Sequence, residues 1–347
     1  MLLLDLSIQG DSSVITLGGT GEPDAFVPGL RTKGAERIAA VPATRTAGGF
    51  LAAAQAFQAS GGAPPSPQAP SAAVSGWGML RGSAAPVAGS SAPAAFPWRQ
   101  HCVNVAETHA SGGAPPNLFV APGGRALYKC VPDDQIMAAA ASLRAAFACC
   151  GPDLLVVIDT DAELSERCTS LIGLAAAQDI ALVLTSSWGD YQRVVDDPAN
   201  GLFPGMAWLE ANDAGAKAKV ACVVFNQVTK TNVTPIKLAN SSVAVLPFTP
   251  PKSSVDSMTD ILEHMVSMCN DPATAYRRFF ARSDVDAAFA DTAAFASAYV
   301  TGLATVPDTL WQECLEKGRP VVVSKETDPQ KATASQLVTV TKRLFGQ

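Results

Sequence analysis

Four short apolar runs in this chain each stop on a polar residue: LLLD at 2–5, LLVVID at 154–159, IALVLT at 180–185 and VACVVFN at 220–226. Such runs lack polar alternation, so they suit strands buried on both faces, as in a parallel sheet. The run ending at Asp159 reads as fully buried, with its carboxylate emerging at the carboxyl edge, where open α/β sheets bind ligands. LFVA at 118–121 adds a strand followed by a turn at Gly123 and Gly124. Helical spacing follows over 133–149, with Asp133 or Asp134 at its start, then over 163–177 and from 192 onward. Residues 243–246 give one more strand, and the chain beyond 255 reads as mainly helical with an extended piece at 321–323. Strands alternating with helices predict an α/β fold with a doubly wound, mostly parallel sheet.

The chain has 347 residues, of which 48% are hydrophobic, enough for a sizeable core. No apolar stretch approaches the roughly 18 residues of a membrane span, and MLLL is cut short by Asp5, too early for a secretory signal. A soluble protein of the cytoplasm or an organelle interior is expected. Eight cysteines lie without CxxC or Cys/His spacing, which predicts free thiols and no structural metal. The net charge of −6 argues against whole-surface attraction to nucleic acid and leaves local patches such as Arg277, Arg278 and Arg282.

Between the first strand and the regular alternation, residues 29–116 shift to Ala, Gly, Pro and Ser, with runs such as SGGAPPSPQAPSAAVSG at 60–76. This region reads as a surface insertion that buries little. Residues 37–57 form a short Ala-rich helix on this reading, and Trp77, Trp98 and residues 101–105 are candidates to dock on the core. The organisation predicted is therefore 1–28 as the start of a nucleotide-binding domain, 29–116 as the insertion and 117–347 as its remainder.

Residues 3–17, LLDLSIQGDSSVITL, resemble the segment of ParA/MinD-type partition ATPases that follows the phosphate loop and its helix. Asp5, Gln9 and Gly10 match; Ser7 stands where the family has its second Asp, the carboxylate that positions the attacking water, and Ile8 where it has Pro. Further on, NLFVAPGG, Asp159 with Thr160, QDIALVLT, Asn226 and LPFTPP follow in the family's order, and GRPVV at 318–322 resembles its late extended segment. The resemblance implies ATP and Mg²⁺ as ligands: Asp5 and Asp159 in the metal and phosphate region, Gln9 and Gly10 in the switch segment, and Asn226, Pro247 and Pro250 around the base. It implies a nucleotide-dependent homodimer that positions DNA or a cargo, with nonspecific DNA or a ParB-like activating protein as partner. The tail LVTVTKRLFGQ resembles the membrane-targeting tail of MinD, although a final helix packed on the core is the expectation and membrane contact is not.

Two departures point away from hydrolysis. The Gly-rich phosphate loop with its Lys and Thr is not found, since no GxxxxGK[ST] occurs and Gly123, Gly124 and Lys129 do not fit it. The other is Ser7, which cannot act as a carboxylate. In the family the strand before the phosphate loop lies in the middle of the sheet, so without it two internal edges are left with unpaired backbone groups. Either the protein starts further upstream or another segment fills the gap. The expectation is therefore a ParA-like ATP-binding protein, incomplete or catalytically impaired as it stands, or else a non-catalytic scaffold of the same fold or a MinD-like membrane-associated positioning ATPase.

Overall fold

The computed structural model describes residues 1–7, 10–17, 33–62, 95–108, 117–124, 135–150, 154–161, 167–198, 201–213, 215–226, 232–233, 248–249, 252–280 and 297–299. Leu2–Asp5 is β1, Asp11–Leu17 the short helix α1 and Lys33–Ala40 the helix α2. Ala47–Ala59 is α3, entered through a 3-10 turn and capped where the Thr46 hydroxyl accepts the Gly49 amide. Val103–Asn104 (β2), Val105–Thr108 (α4) and Phe119–Ala121 (β3) follow. Next come Ile136–Ala148 (α5), Val156–Asp159 (β4), Arg167–Ala176 (α6) and Asp179–Thr185 (β5). Trp188–Tyr191 (α7) runs on into a π turn, after which Leu202–Asn212 forms α8 and Lys219–Asn226 forms β6. Asn232–Val233 (β7), Phe248–Thr249 (β8), Lys252–Asn270 (α9) and Ser297–Tyr299 (β9) complete the described elements.

One sheet has the order β2-β3-β1-β4, a second β5-β6-β9, and β7 pairs with β8. β1 runs parallel to both neighbours, with Leu3 beside Val120 and Val157 and Asp5 beside Asp159. The second sheet is parallel throughout and sets Thr185 beside Asn226, while β2–β3 and β7–β8 are antiparallel. The α/β class with mostly parallel strands is as expected.

Side-chain alternation on β1 divides the core between two faces. Leu2, Leu4 and Leu6 join Phe50, Leu51, Leu143 and Ile172 under α3, α5 and α6. On the opposite face, Leu3 packs against Leu17, Val103, Val105 and Val120. A second main cluster joins Leu182, Leu184 and Phe225 to Phe203, Tyr191, Ile261 and Met265. Leu174 of α6 touches both large clusters, and α8 gives Leu209 to the first and Met206 to the second. The Arg144 guanidinium ties α5 to the end of α8, donating to Asp213 at 2.9 Å and to the Ala175 carbonyl at 2.7 Å.

Several expectations need correcting. The region 29–116 does not bury little throughout: Ala47, Phe50, Leu51 and Ala54 are core residues, and Val103 pairs with Val120. Small alanines let α3 approach α5 closely, and Phe50 stacks edge-on against Phe96 at 5.4 Å. The single helix expected over 37–57 is two helices, because Pro42 breaks it. Trp98 does dock, packing edge-on against Phe119, whereas Trp77 lies outside the described residues. The strand ending at Asp159 is not fully buried, since Leu155 is 41% and Val157 37% exposed. Ser12 and Ser13 belong to α1. The strand expected at 243–246, the extended piece at 321–323 and the C-terminal tail lie outside the described residues.

Candidate functional site

β1 delivers Asp5 to the carboxyl edge of its sheet with no exposed surface. A buried carboxylate must be met by donors, and the turn after β1 together with α1 supplies four. Oδ1 accepts the Ser7 amide at 3.0 Å and the Ser7 hydroxyl at 2.6 Å; Oδ2 accepts the Ser13 amide at 3.0 Å and the Ser13 hydroxyl at 2.5 Å. Each hydroxyl oxygen is used again. Ser7 Oγ accepts the Gly10 amide at 3.0 Å, and Ser13 Oγ accepts the Gly123 amide at 3.3 Å. The Gly124 amide donates to the Ser7 carbonyl at 3.1 Å, so the loops after β1 and β3 are fastened to each other through one carboxylate.

Two glycines make this closeness possible. Gly10 sits at φ +67°, a left-handed conformation that side chains disfavour. A Cβ on Gly123 would stand 2.5 Å from the Asp5 carbonyl oxygen and 2.8 Å from its Oδ1, so the two loops meet only because residue 123 has none.

Asp159 lies beside Asp5 in the ladder, and its carbonyl accepts the Leu6 amide at 2.8 Å. Burial is the main influence pushing its carboxyl above the ordinary range; the Ser12 side chain pulls it down by hydrogen bonding, and the neighbouring Asp5 and Asp161 carboxylates push it up. In the second sheet, Thr185 and Asn226 end β5 and β6 side by side. There Asp190 accepts the Thr185 amide at 2.7 Å, its hydroxyl at 3.1 Å and the Arg193 guanidinium at 2.8 Å. Burial works against the charged form of Asp190, yet these donors hold it below the usual carboxylate range.

Of the residues singled out in the sequence, Asp5, Ser7, Gly10 and Asp159 gather at one sheet edge. Asn226 ends a strand of the other sheet, while Gln9, Pro247 and Pro250 lie outside the described residues. Sequence reasoning missed Ser12, Ser13, Gly123 and Asp161. The pair of serines a few residues after Asp5 was the available signal, but only the fold brings Ser13 back to residue 5. Comparison with protein-family models, curated proteins and solved structures returned no match.

Mg²⁺ takes near-octahedral oxygen ligands and keeps several waters. Asp5 fits that role poorly, because both its oxygens are already engaged by two amides and two hydroxyls. Asp159 fits it only with phosphate oxygens and waters completing the set. Among the described residues no group of three or more His, Cys, Asp or Glu is placed to hold a metal ion. Also among them, no helix is long and apolar enough to cross a membrane.

Proposed function

We propose that this chain is a catalytically impaired ParA/MinD-type protein, which keeps the fold as a scaffold for contacts with a second copy or another protein and does not hydrolyse ATP. The observation that carries the reading is the closed Asp5 network: the family's carboxylate position is Ser7, and its hydroxyl is spent on Asp5 and Gly10 rather than facing a water. A serine held in this way has no base strength to activate a nucleophile. The test is phosphate release from MgATP by the purified chain. The expected result is no turnover above buffer; Mg²⁺-dependent turnover that Asp159→Ala abolishes would overturn the reading.

A second reading, the active ATP-binding partition protein, is favoured by the placement of the remaining motifs. Asp159 and Asn226 end parallel strands and Gly10 follows one, at the carboxyl edge where nucleotides bind in doubly wound sheets. On that reading ATP and Mg²⁺ close a homodimer that holds nonspecific DNA or answers to a ParB-like activator, and Asp159→Ala weakens MgATP binding.

A further inference from the structure

The helix α9 grips the segment that leaves the carboxyl end of β5, using Ser257, His264 and Met268, which share one helical face by their spacing of seven and four. Near its start, the Ser257 hydroxyl donates to the Ser186 carbonyl at 2.7 Å. Three turns on, Met268 Sδ accepts the hydroxyl of the fully buried Tyr191 at 3.2 Å. Between these two holds stands His264, opposite the π turn Gln192–Asp196 that continues α7. Its ring meets Trp188 at 5.1 Å and Tyr191 at 5.5 Å, edge to face in both cases, which fixes the imidazole in place.

His264 Nε2 is buried and has no hydrogen-bond partner among the described residues. Asp196 Oδ2 stands 3.6 Å away, an ion-pair distance that is too long for a hydrogen bond. A buried polar atom left unmet costs free energy. In the neutral ring Nε2 either turns a lone pair toward a carboxylate or carries an N–H that stops short of it. A protonated imidazole carries an N–H on both nitrogens, and a charge-assisted bond to a carboxylate closes to roughly 2.8 Å. Asp196 is the last residue of the π turn, a rare geometry that recurs at functional sites.

We propose that His264 and Asp196 form a proton-operated latch between α9 and the π turn, open while the imidazole is neutral and shut when it is protonated. The charges around the pair favour the shut state. On α9 itself, Asp260 lies one turn before His264 and Glu263 stands next to it. From α7 and from the 3-10 turn after α9 come the phenols of Tyr191 and Tyr276; burial first, and the Asp196 carboxylate second, push both up and keep them uncharged. The Arg193 guanidinium of the π turn is engaged by Asp190 at 2.8 Å, which offsets its repulsion. Asp190 also accepts the Thr185 amide and hydroxyl at the end of β5, beside Asn226. Shutting the latch therefore draws in a segment fastened to the carboxyl edge of the second sheet, whether or not a nucleotide binds there.

Amide resonances of the full chain test this, followed from about pH 8 to about pH 5, the span in which imidazoles change charge, in the wild type, His264→Gln and Asp196→Asn. In the wild type the amides of 192–196 and of 262–266 should shift together with one midpoint. His264→Gln should abolish both responses, whereas Asp196→Asn should keep the one at 262–266 and lose the one at 192–196, which separates a latch from the mere protonation of a histidine. Amides of 192–196 that stay still in the wild type, or that shift as far in either variant, would overturn the proposal. Should a variant fail to fold, the wild type decides alone: a solvent-protected Nε2 proton of His264 should be seen at the acid end and be lost at the alkaline end. Its absence in acid, or its persistence unchanged in alkali, would overturn the latch.

Discussion

The two sheets of this molecule solve the problem of burial differently. The first is built from short strands and alanine-rich helices, and the buried polar residues Asp5, Ser7, Ser13, Ser142, Thr169 and Ser170 all belong to its half of the chain. The second is built from β5 and β6, longer strands, and packs Phe203, Phe279, Phe280, Tyr191 and Met265 with no buried Asp or Ser among the described residues. Small side chains let loops and helices approach closely enough for one carboxylate to organise two turns, whereas large aromatic ones fill space and leave polar groups at the rim. Close approach and chemistry therefore go together in the first half, and bulk and stability in the second.

If that contrast is right, the largest single loss should come from the aromatic half. Phe203→Ala removes a ring that meets Tyr276 at 4.8 Å and Phe280 at 5.7 Å, and it is expected to cost about 3–5 kcal/mol in urea unfolding. In the polar half, Asp5→Ala strands two buried amides and two hydroxyls, for a loss of about 3 kcal/mol; a loss below about 1 kcal/mol would mean the network is ornamental. Gly123→Ala should follow at about 2 kcal/mol by forcing apart the loops after β1 and β3, with the largest change in near-ultraviolet signal or amide shifts at residues 5–13. Arg144→Ala cuts a link between the halves and is expected to cost about 1–2 kcal/mol, with α5 and α8 losing exchange protection together.

The smallest effect has the opposite sign. Burial raises the Asp159 carboxyl above the ordinary carboxylate range, so its folded form binds a proton more tightly than the unfolded form. That stabilisation is fully present below the unfolded value and is lost as pH rises through the folded one. At neutral pH the buried charge is a burden, and Asp159→Asn should raise the melting temperature there, with the gain shrinking to nothing in acid. A variant less stable than the wild type at pH 7 would show that a cation or donor meets Asp159 in solution.

Much of the architecture was legible because buried parallel strands advertise themselves. β1, β3, β5 and β6 fall within a residue or two of where the apolar runs place them. The region around Phe50 and Val103 was not, since Ala, Gly and Pro enrichment looks the same in a flexible segment as in a helix that packs closely through its small residues. Nor was the exposure of Val157, which depends on whether a strand lies beyond β4 and not on residues 154–159 themselves. At the site, Asp5, Ser7, Gly10 and Asp159 could be singled out from position after an apolar run. Ser13 could not, because its role rests on a hydrogen bond that closes only after α1 folds back over β1.

Asp5 is held here to be a structural acceptor and not a ligand of metal or phosphate, and urea unfolding of the wild type and Asp5→Asn, each with and without MgATP, tests this most directly. The expected result is a loss of about 2–3 kcal/mol in the variant and no shift of either protein by MgATP. A MgATP-dependent rise in wild-type stability that disappears in Asp5→Asn would contradict the account and place Asp5 in a working nucleotide site.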